Sequence, residues 1–209
     1  MEEKNVTITL DKAREWFNSG NTTLKEIALQ TFSKNELRYN FRDITTFKKA
    51  CETLNLNYDI ISIVVKDIAT FSRASAAMFK LNIIRKALNL GRDLHLTKNP
   101  KNSHIYYPYN PFITKNSICY AYELDSGKME VIGKIKNEGE EYNVLGGRAN
   151  YSGDGLSRSY SNTEVSFNDS DSGFLGCASE KIAQHFGKYF GMLIIEAKYG
   201  DMVDFKIIK

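Results

Sequence analysis

The chain has 209 residues, of which 42% are hydrophobic and 25% charged, with 28 Lys/Arg against 25 Asp/Glu for a formal net charge of +3. Those values exclude a disordered chain and leave room for one large packed domain or two small ones. Three scattered cysteines (Cys51, Cys119 and Cys177) argue against a disulfide framework and against zinc spacing, and no run nears the roughly 18 apolar residues of a bilayer span.

The opening Met1-Glu-Glu-Lys4 is followed by no apolar run and does not read as a secretory signal. The expected compartment is therefore reducing and cytoplasmic, with no membrane association. Thr9 can cap a first helix carrying Ala13, Trp16 and Phe17, which Gly20 would stop. Thr23 and Glu26 have capping-box spacing for a second helix through Phe32, so that Ser19–Thr22 becomes the turn of a helical hairpin. A third helix is expected from near Thr45 to near Leu54. Tyr58–Thr70 is apolar and β-branched, and its place between helical patterns predicts a buried helix. Over Ser72–Leu90, Ala74, Ala77, Leu81, Ile84 and Leu88 line one face while Ala76, Phe79, Ile83 and Leu90 line a second. Such a helix should touch neighbours on both sides.

The character then changes. All three prolines (Pro100, Pro108 and Pro111) fall in residues 92–117, and Ile105–Tyr109 reads as an edge strand. Ile118–Leu124 and Met129–Ile135 are expected strands on either side of the turn Asp125–Lys128. A second turn at Asn137–Gly139 leads to a third strand, Tyr142–Leu145. Residues 146–163 are rich in Gly, Ser, Asn and Tyr and predict a long loop of the kind that carries function. Short strands are expected at Thr163–Phe167 and Gly173–Leu175. Ser179 should cap a helix from Glu180 to about Lys198, and Val203–Ile208 should be a last strand. The whole predicts an α+β protein: a helical subdomain over residues 1–95, an extended aromatic connection over 96–117, and an antiparallel β subdomain over 118–209 with one packed helix at 179–199.

Several residues carry candidate chemistry. Tyr106, Tyr107, Tyr109 and Phe112 on the connection, with Arg148, Tyr151, Arg158 and Tyr160 in the 146–163 loop, have the composition of an adaptable protein-binding surface. The competing reading packs the connection's aromatics into the core. Residues 1–100 carry 16 Lys/Arg against 11 Asp/Glu, and the excess lies in Lys66, Arg73, Lys80, Arg85, Lys86, Arg92 and Lys98. That stripe makes nucleic acid the second candidate partner, but its members fall on different helix faces and fit a solvated surface better. Cys177, just before a helix start, is a candidate nucleophile needing His104 or His185 as base. His185 lies two turns down that helix, and a small buried apolar side chain is the simpler reading of Cys177. Asn168–Gly173 and the acidic run Glu138, Glu140 and Glu141 read as solvated turns. Gly187 and Gly191, four apart, predict close approach of the last helix to a sheet. No residue pattern calls for a cofactor or a metal.

The segment Ile8-Thr-Leu-Asp-Lys-Ala-Arg-Glu-Trp-Phe-Asn-Ser-Gly-Asn21, with Leu24-Lys-Glu-Ile-Ala-Leu29 and Phe32, resembles an N-terminal module of uncharacterised proteins from Bacteroidales bacteria and their phages and prophages. The pair Gly173-Phe-Leu175 and Ala183-Gln-His-Phe-Gly-Lys-Tyr-Phe190 resembles a strand and an Ala-Xaa-Xaa-Phe-Gly-Lys-Xaa-Phe helix in several of the same proteins. The family has no assigned activity, so the resemblance implies a setting and no catalytic residue. That setting is a bacterial host cytoplasm or a virion, with a virion or host protein as partner. The expectation is a non-enzymatic binding or assembly protein, against the alternatives of a nucleic-acid accessory protein and a Cys177-dependent hydrolase.

Overall fold

The computed structural model describes residues 8–90, 105–114, 118, 120–152 and 175–208. The fold is α+β, with helices, a four-stranded antiparallel sheet and a long C-terminal helix. The chain divides into two compact units, Met1–Asn40 and Phe41–Lys209.

The first unit holds α1 (Leu10–Asn18), α2 (Thr22–Thr31) and α3 (Lys34–Arg38). Thr9 caps α1 by accepting from Lys12 N. For α2 the cap is Asn21, whose side chain accepts from Leu24 N at 3.1 Å, rather than the expected Thr23. The amide oxygen of Asn21 closes the first turn two residues earlier than the Thr23–Glu26 spacing suggests. The capping box of this unit belongs to Ser33 and Glu36, which start the unforeseen α3. Ala13, Ala28 and Leu37 form the buried centre, surrounded by Leu10, Trp16, Phe17 and Phe32. Arg14 lies buried beside them and donates through Nε to Glu36 O at 2.9 Å, so its charge meets a backbone acceptor.

The second unit begins with a 3-10 turn, Phe41–Asp43, followed by α4 (Phe47–Thr53), α5 (Tyr58–Phe71) and α6 (Arg73–Leu88). α6 behaves as its two apolar faces predict, packing on α4, α5 and the final helix. α5 is helical as expected but is not buried: Val65 is its buried residue, while Ile60 and Ile63 are each 59% exposed and Phe71 is 92% exposed.

Strand β1 (Ile105–Tyr109) pairs antiparallel with β5 (Arg148–Ser152). The larger sheet has the order β2 (Phe112–Thr114), β4 (Glu140–Gly146), β3 (Glu130–Asn137), β6 (Lys206–Ile208). Asn137 faces Glu140 across the β3–β4 turn, and Glu138 and Gly139 have φ of 50° and 90°. Two positive φ values in a two-residue loop match the right-handed strand twist. Ile118–Leu124, an expected strand, is instead occupied by helix α7 (Ala121–Asp125), which Gly127 leaves at φ 70°. Tyr120 and Leu124, four apart, both pack on the cluster of Ile113, Met129 and Leu145, and one helical turn brings them there. Residues 148–152 of the expected loop are β5, while 153–163 and the expected strands at 163–167 and 173–174 lie outside the described residues.

Helix α8 (Glu180–Tyr199) is capped by Ser179 and lies against β1, β3, β4, β5 and α6. Its glycines let it come close. A Cβ on Gly187 would stand 3.2 Å from Pro108 Cβ, and one on Gly191 would stand 2.5 Å from Asn110 Nδ2. The expectation drawn from the four-residue glycine spacing is met. β3 accommodates the helix with a bulge between Val131 and Gly133, and the extra residue, Ile132, lies against Gly191.

Candidate functional site

Helix α8 is amphipathic, with Ile182, Ala183, Phe186, Phe190 and Ile194 buried. Its polar residues Lys181, Gln184, His185, Lys188 and Tyr189 recur at helical spacing on another face. That face borders an open groove of about 850 Å³ whose other walls are Phe41–Arg42, Gly127–Glu130 and Gly146–Gly147. The stripe is present in the sequence as the polar positions that alternate with the apolar ones of the same helix.

Three rings run along the groove. Phe41 meets His185 edge-on at 5.5 Å between centroids, and His185 lies 4.5 Å from Tyr189 with 41° between planes. His185 Nε2 donates to Ile44 O at 2.9 Å; a carbonyl oxygen only accepts, so this nitrogen carries the proton. Burial lowers the His185 pKa below its ordinary value of 6.5, and Arg42 and Lys188 add to the effect, against the Ile44 bond and Asp43. The imidazole is therefore a neutral ring at neutral pH. Tyr189 is 47% exposed, with Lys188 Nζ over its ring 5.8 Å from the centroid.

Charge surrounds the rings. Arg42, Lys128, Lys181 and Lys188 line the groove against two acids, Glu130 and Glu180. Glu130 is bonded to Lys188 at 3.1 Å and Glu180 accepts from Gln184 at 3.1 Å. Lys128 and Lys181 are exposed, so the groove has a net positive rim.

Comparison with protein-family models, with curated proteins and with solved structures found no match.

The candidate partner-binding residues of β1 and β5 come together on one antiparallel ladder. Tyr106, Tyr107 and Tyr109 lie on β1, opposite Tyr151, Asn150 and Arg148 of β5. Tyr107 is 4% exposed and Phe112 8%, and Phe112 packs with Ile135, Val144, Ile195 and Phe205. Tyr109 and Tyr120 share a hydroxyl–hydroxyl bond of 2.6 Å. Arg158 and Tyr160 lie outside the described residues. In the basic stripe, Arg73 donates to Gly200 O and Arg85 Nε is buried, with no hydrogen-bond partner among the described residues. Lys66 and Lys86 are exposed, and Lys80 is half-buried. Arg92, Lys98 and His104 lie outside the described residues.

Cys177 is fully buried, bonded through its thiol to Leu175 O at 3.3 Å. Burial pushes its pKa up to about 12, although Asn89 and Arg85 pull the other way. Its backbone exchanges two hydrogen bonds with Tyr106, at 3.1 and 2.7 Å. His185 is bonded to Ile44 rather than to this sulfur. A thiol so held stays protonated at neutral pH and lacks the electropositive, accessible setting of a nucleophile. The acidic run sits on the exposed β3–β4 tip, where Glu140 accepts from Tyr142 OH at 3.0 Å.

Proposed function

We propose that this chain is a non-enzymatic binding protein that meets its partner through the groove of α8. The observation that carries the reading is the character of the accessible groups: rings in edge and tilted contact, with cations, around an open space of about 850 Å³. These are recognition groups. The candidate nucleophile, by contrast, is sealed in the core.

The phage or prophage setting is proposed on the resemblance alone. Its first segment, residues 8–32, falls within the compact unit Met1–Asn40. Its second motif divides by burial. Ala183, Phe186, Gly187 and Phe190 are buried, while Gln184, His185 and Tyr189, at the motif's Xaa positions, line the groove with Lys188. The setting places the protein in the host cytoplasm or in a virion.

Immobilised protein exposed to host lysate and to purified virions tests the groove. Capture should be lost in the double variant Lys181→Glu, Tyr189→Ala while the melting temperature stays within a few degrees of the parent. Equal capture by parent and variant would move the binding surface elsewhere, with the β1–β5 ladder bearing Tyr106 and Tyr151 next in line.

A further inference from the structure

We infer that the groove of α8 binds single-stranded nucleic acid, stacking a base on Tyr189 and holding phosphates with Lys128 and Lys181. The inference rests on the binding reading above and specifies its partner class.

Two features have to coexist for such a ligand, and here they share one groove. A base needs a flat aromatic face that is open to solvent and held in place. Tyr189 is the candidate: the residue is 47% exposed and backed by His185 at 4.5 Å, which Phe41 meets edge-on at 5.5 Å. His185 is itself pinned to Ile44 O at 2.9 Å, so the platform is fixed before ligand arrives and little entropy is lost on stacking. A backbone needs cations within reach of that ring. Lys128 and Lys181 stand exposed in the walls, and Lys188, bonded to Glu130 at 3.1 Å, holds its Nζ over the Tyr189 ring 5.8 Å from the centroid, a place that an arriving base takes as the flexible lysine swings to a phosphate.

An acidic peptide would use the cations, but its carboxylates are repelled by the negative π face of the tyrosine ring. Duplex would use the cations while keeping its bases stacked on one another. Single strands use both elements, and every base has a π face, so the expected binding tolerates sequence. The groove is open rather than enclosed, as a polymer passing through requires.

Fluorescence polarisation with a fluorescein-labelled (dT)20 tests this on the full chain at about 50 mM salt, where phosphate contacts are strong. Binding is expected, falling steeply as salt is raised. Tyr189→Ala should weaken it by about tenfold, within the range of one lost base stack. Lys128→Ala and Lys181→Ala should each reduce the salt dependence, because each removes a phosphate contact. Lys86→Ala, on exposed α6 surface, should change nothing. Melting curves of all variants establish that they are folded, and Tyr189→Phe, which keeps the ring, should restore most of the affinity.

Four results would each overturn the inference: no binding of (dT)20; equal binding of an abasic strand of the same length; displacement by poly-glutamate at equal charge concentration; or Lys86→Ala costing as much as Lys181→Ala. If (dT)20 does not bind while lysate or virion capture still depends on Lys181 and Tyr189, this inference falls and the binding reading stands. If that capture is also independent of the groove, both fall.

Discussion

The side-chain amide of Asn110 donates to the backbone oxygen of Gly187, 3.0 Å away on α8. The same nitrogen donates to Leu145 O at 2.9 Å, at the end of β4. Asn110 is 1% exposed and sits between β1 and β2, so one amide ties the strand corner, the sheet and the helix together. Asn110→Ala removes both donors, while Gly187 O keeps its bond within the helix and the buried Oδ1 of Asn110, without a partner among the described residues, goes too. The expected loss is about 1–3 kcal/mol, the range for withdrawing two buried hydrogen bonds whose acceptors are otherwise engaged. Urea unfolding of the variant measures it. A loss near zero would mean that the helix is held to the sheet by apolar packing alone.

Two glycines on the same helix should respond differently to alanine. At Gly191 the new Cβ would stand 2.5 Å from Asn110 Nδ2 and closer still to Ile132 Cδ1. The Ile132 methyl can turn aside, but Asn110 is fixed by its two bonds. Gly191→Ala should therefore destabilise by about 1–3 kcal/mol, as overpacking does. At Gly187 the nearest atom is Pro108 Cβ at 3.2 Å, a shift of a few tenths of an ångström relieves it, and alanine returns helix propensity. Gly187→Ala should be the milder change in side-by-side thermal melts, and the reverse order would contradict this account of the contact.

How much of this was readable in the chain depended on whether a signal was local. The cap at Ser179, the apolar stripe of α8, the Asn137–Gly139 turn and the glycine spacing are local, and each predicts its element as found. Asn21 and Thr23 competed for one helix start, and composition does not rank two good caps two residues apart. Tyr120 and Leu124 belong to both an alternating and a helical pattern, and the cluster of Met129 and Leu145 selects the helix. For α5 the polar positions Asp59, Ser62, Lys66 and Thr70 share one face, but apolar residues fill the rest of the circumference, so the pattern does not fix which of them are covered, and Ile60 and Ile63 emerge outward. The groove was the least legible, because its walls come from residues near 41, 128, 146 and 185, and only tertiary packing brings those together.

Cys177 should behave as a core residue. With its pKa raised to about 12, only about one thiol in ten thousand is ionised at pH 8, since each pH unit is a factor of ten. Iodoacetamide at pH 8 should leave the Cys177 peptide unmodified in the folded protein and alkylate it completely in urea, as peptide mass mapping would resolve. Rapid labelling without denaturant would revive the nucleophile reading.

Asp201 should make the start of α6 acid-sensitive. Its carboxylate accepts from Ser72 Oγ and, at 3.2 Å, from Ala74 N, satisfying a helix N-terminus from the turn after α8. The Ser72 bond, the Ala74 bond and the neighbouring Arg73 lower its pKa below the ordinary 3.8. A depressed carboxylate pKa means that the unfolded chain binds the proton more readily. The stabilisation is therefore present above about pH 3.8 and disappears as pH falls through the lower folded-state value. Asp201→Asn keeps an acceptor oxygen but not the charge. Its melting temperature should lie below that of the parent at pH 6, and the gap should close as both are titrated toward pH 2. A gap that stays constant over that range would show that the carboxylate's charge contributes nothing to holding α6 against the end of α8.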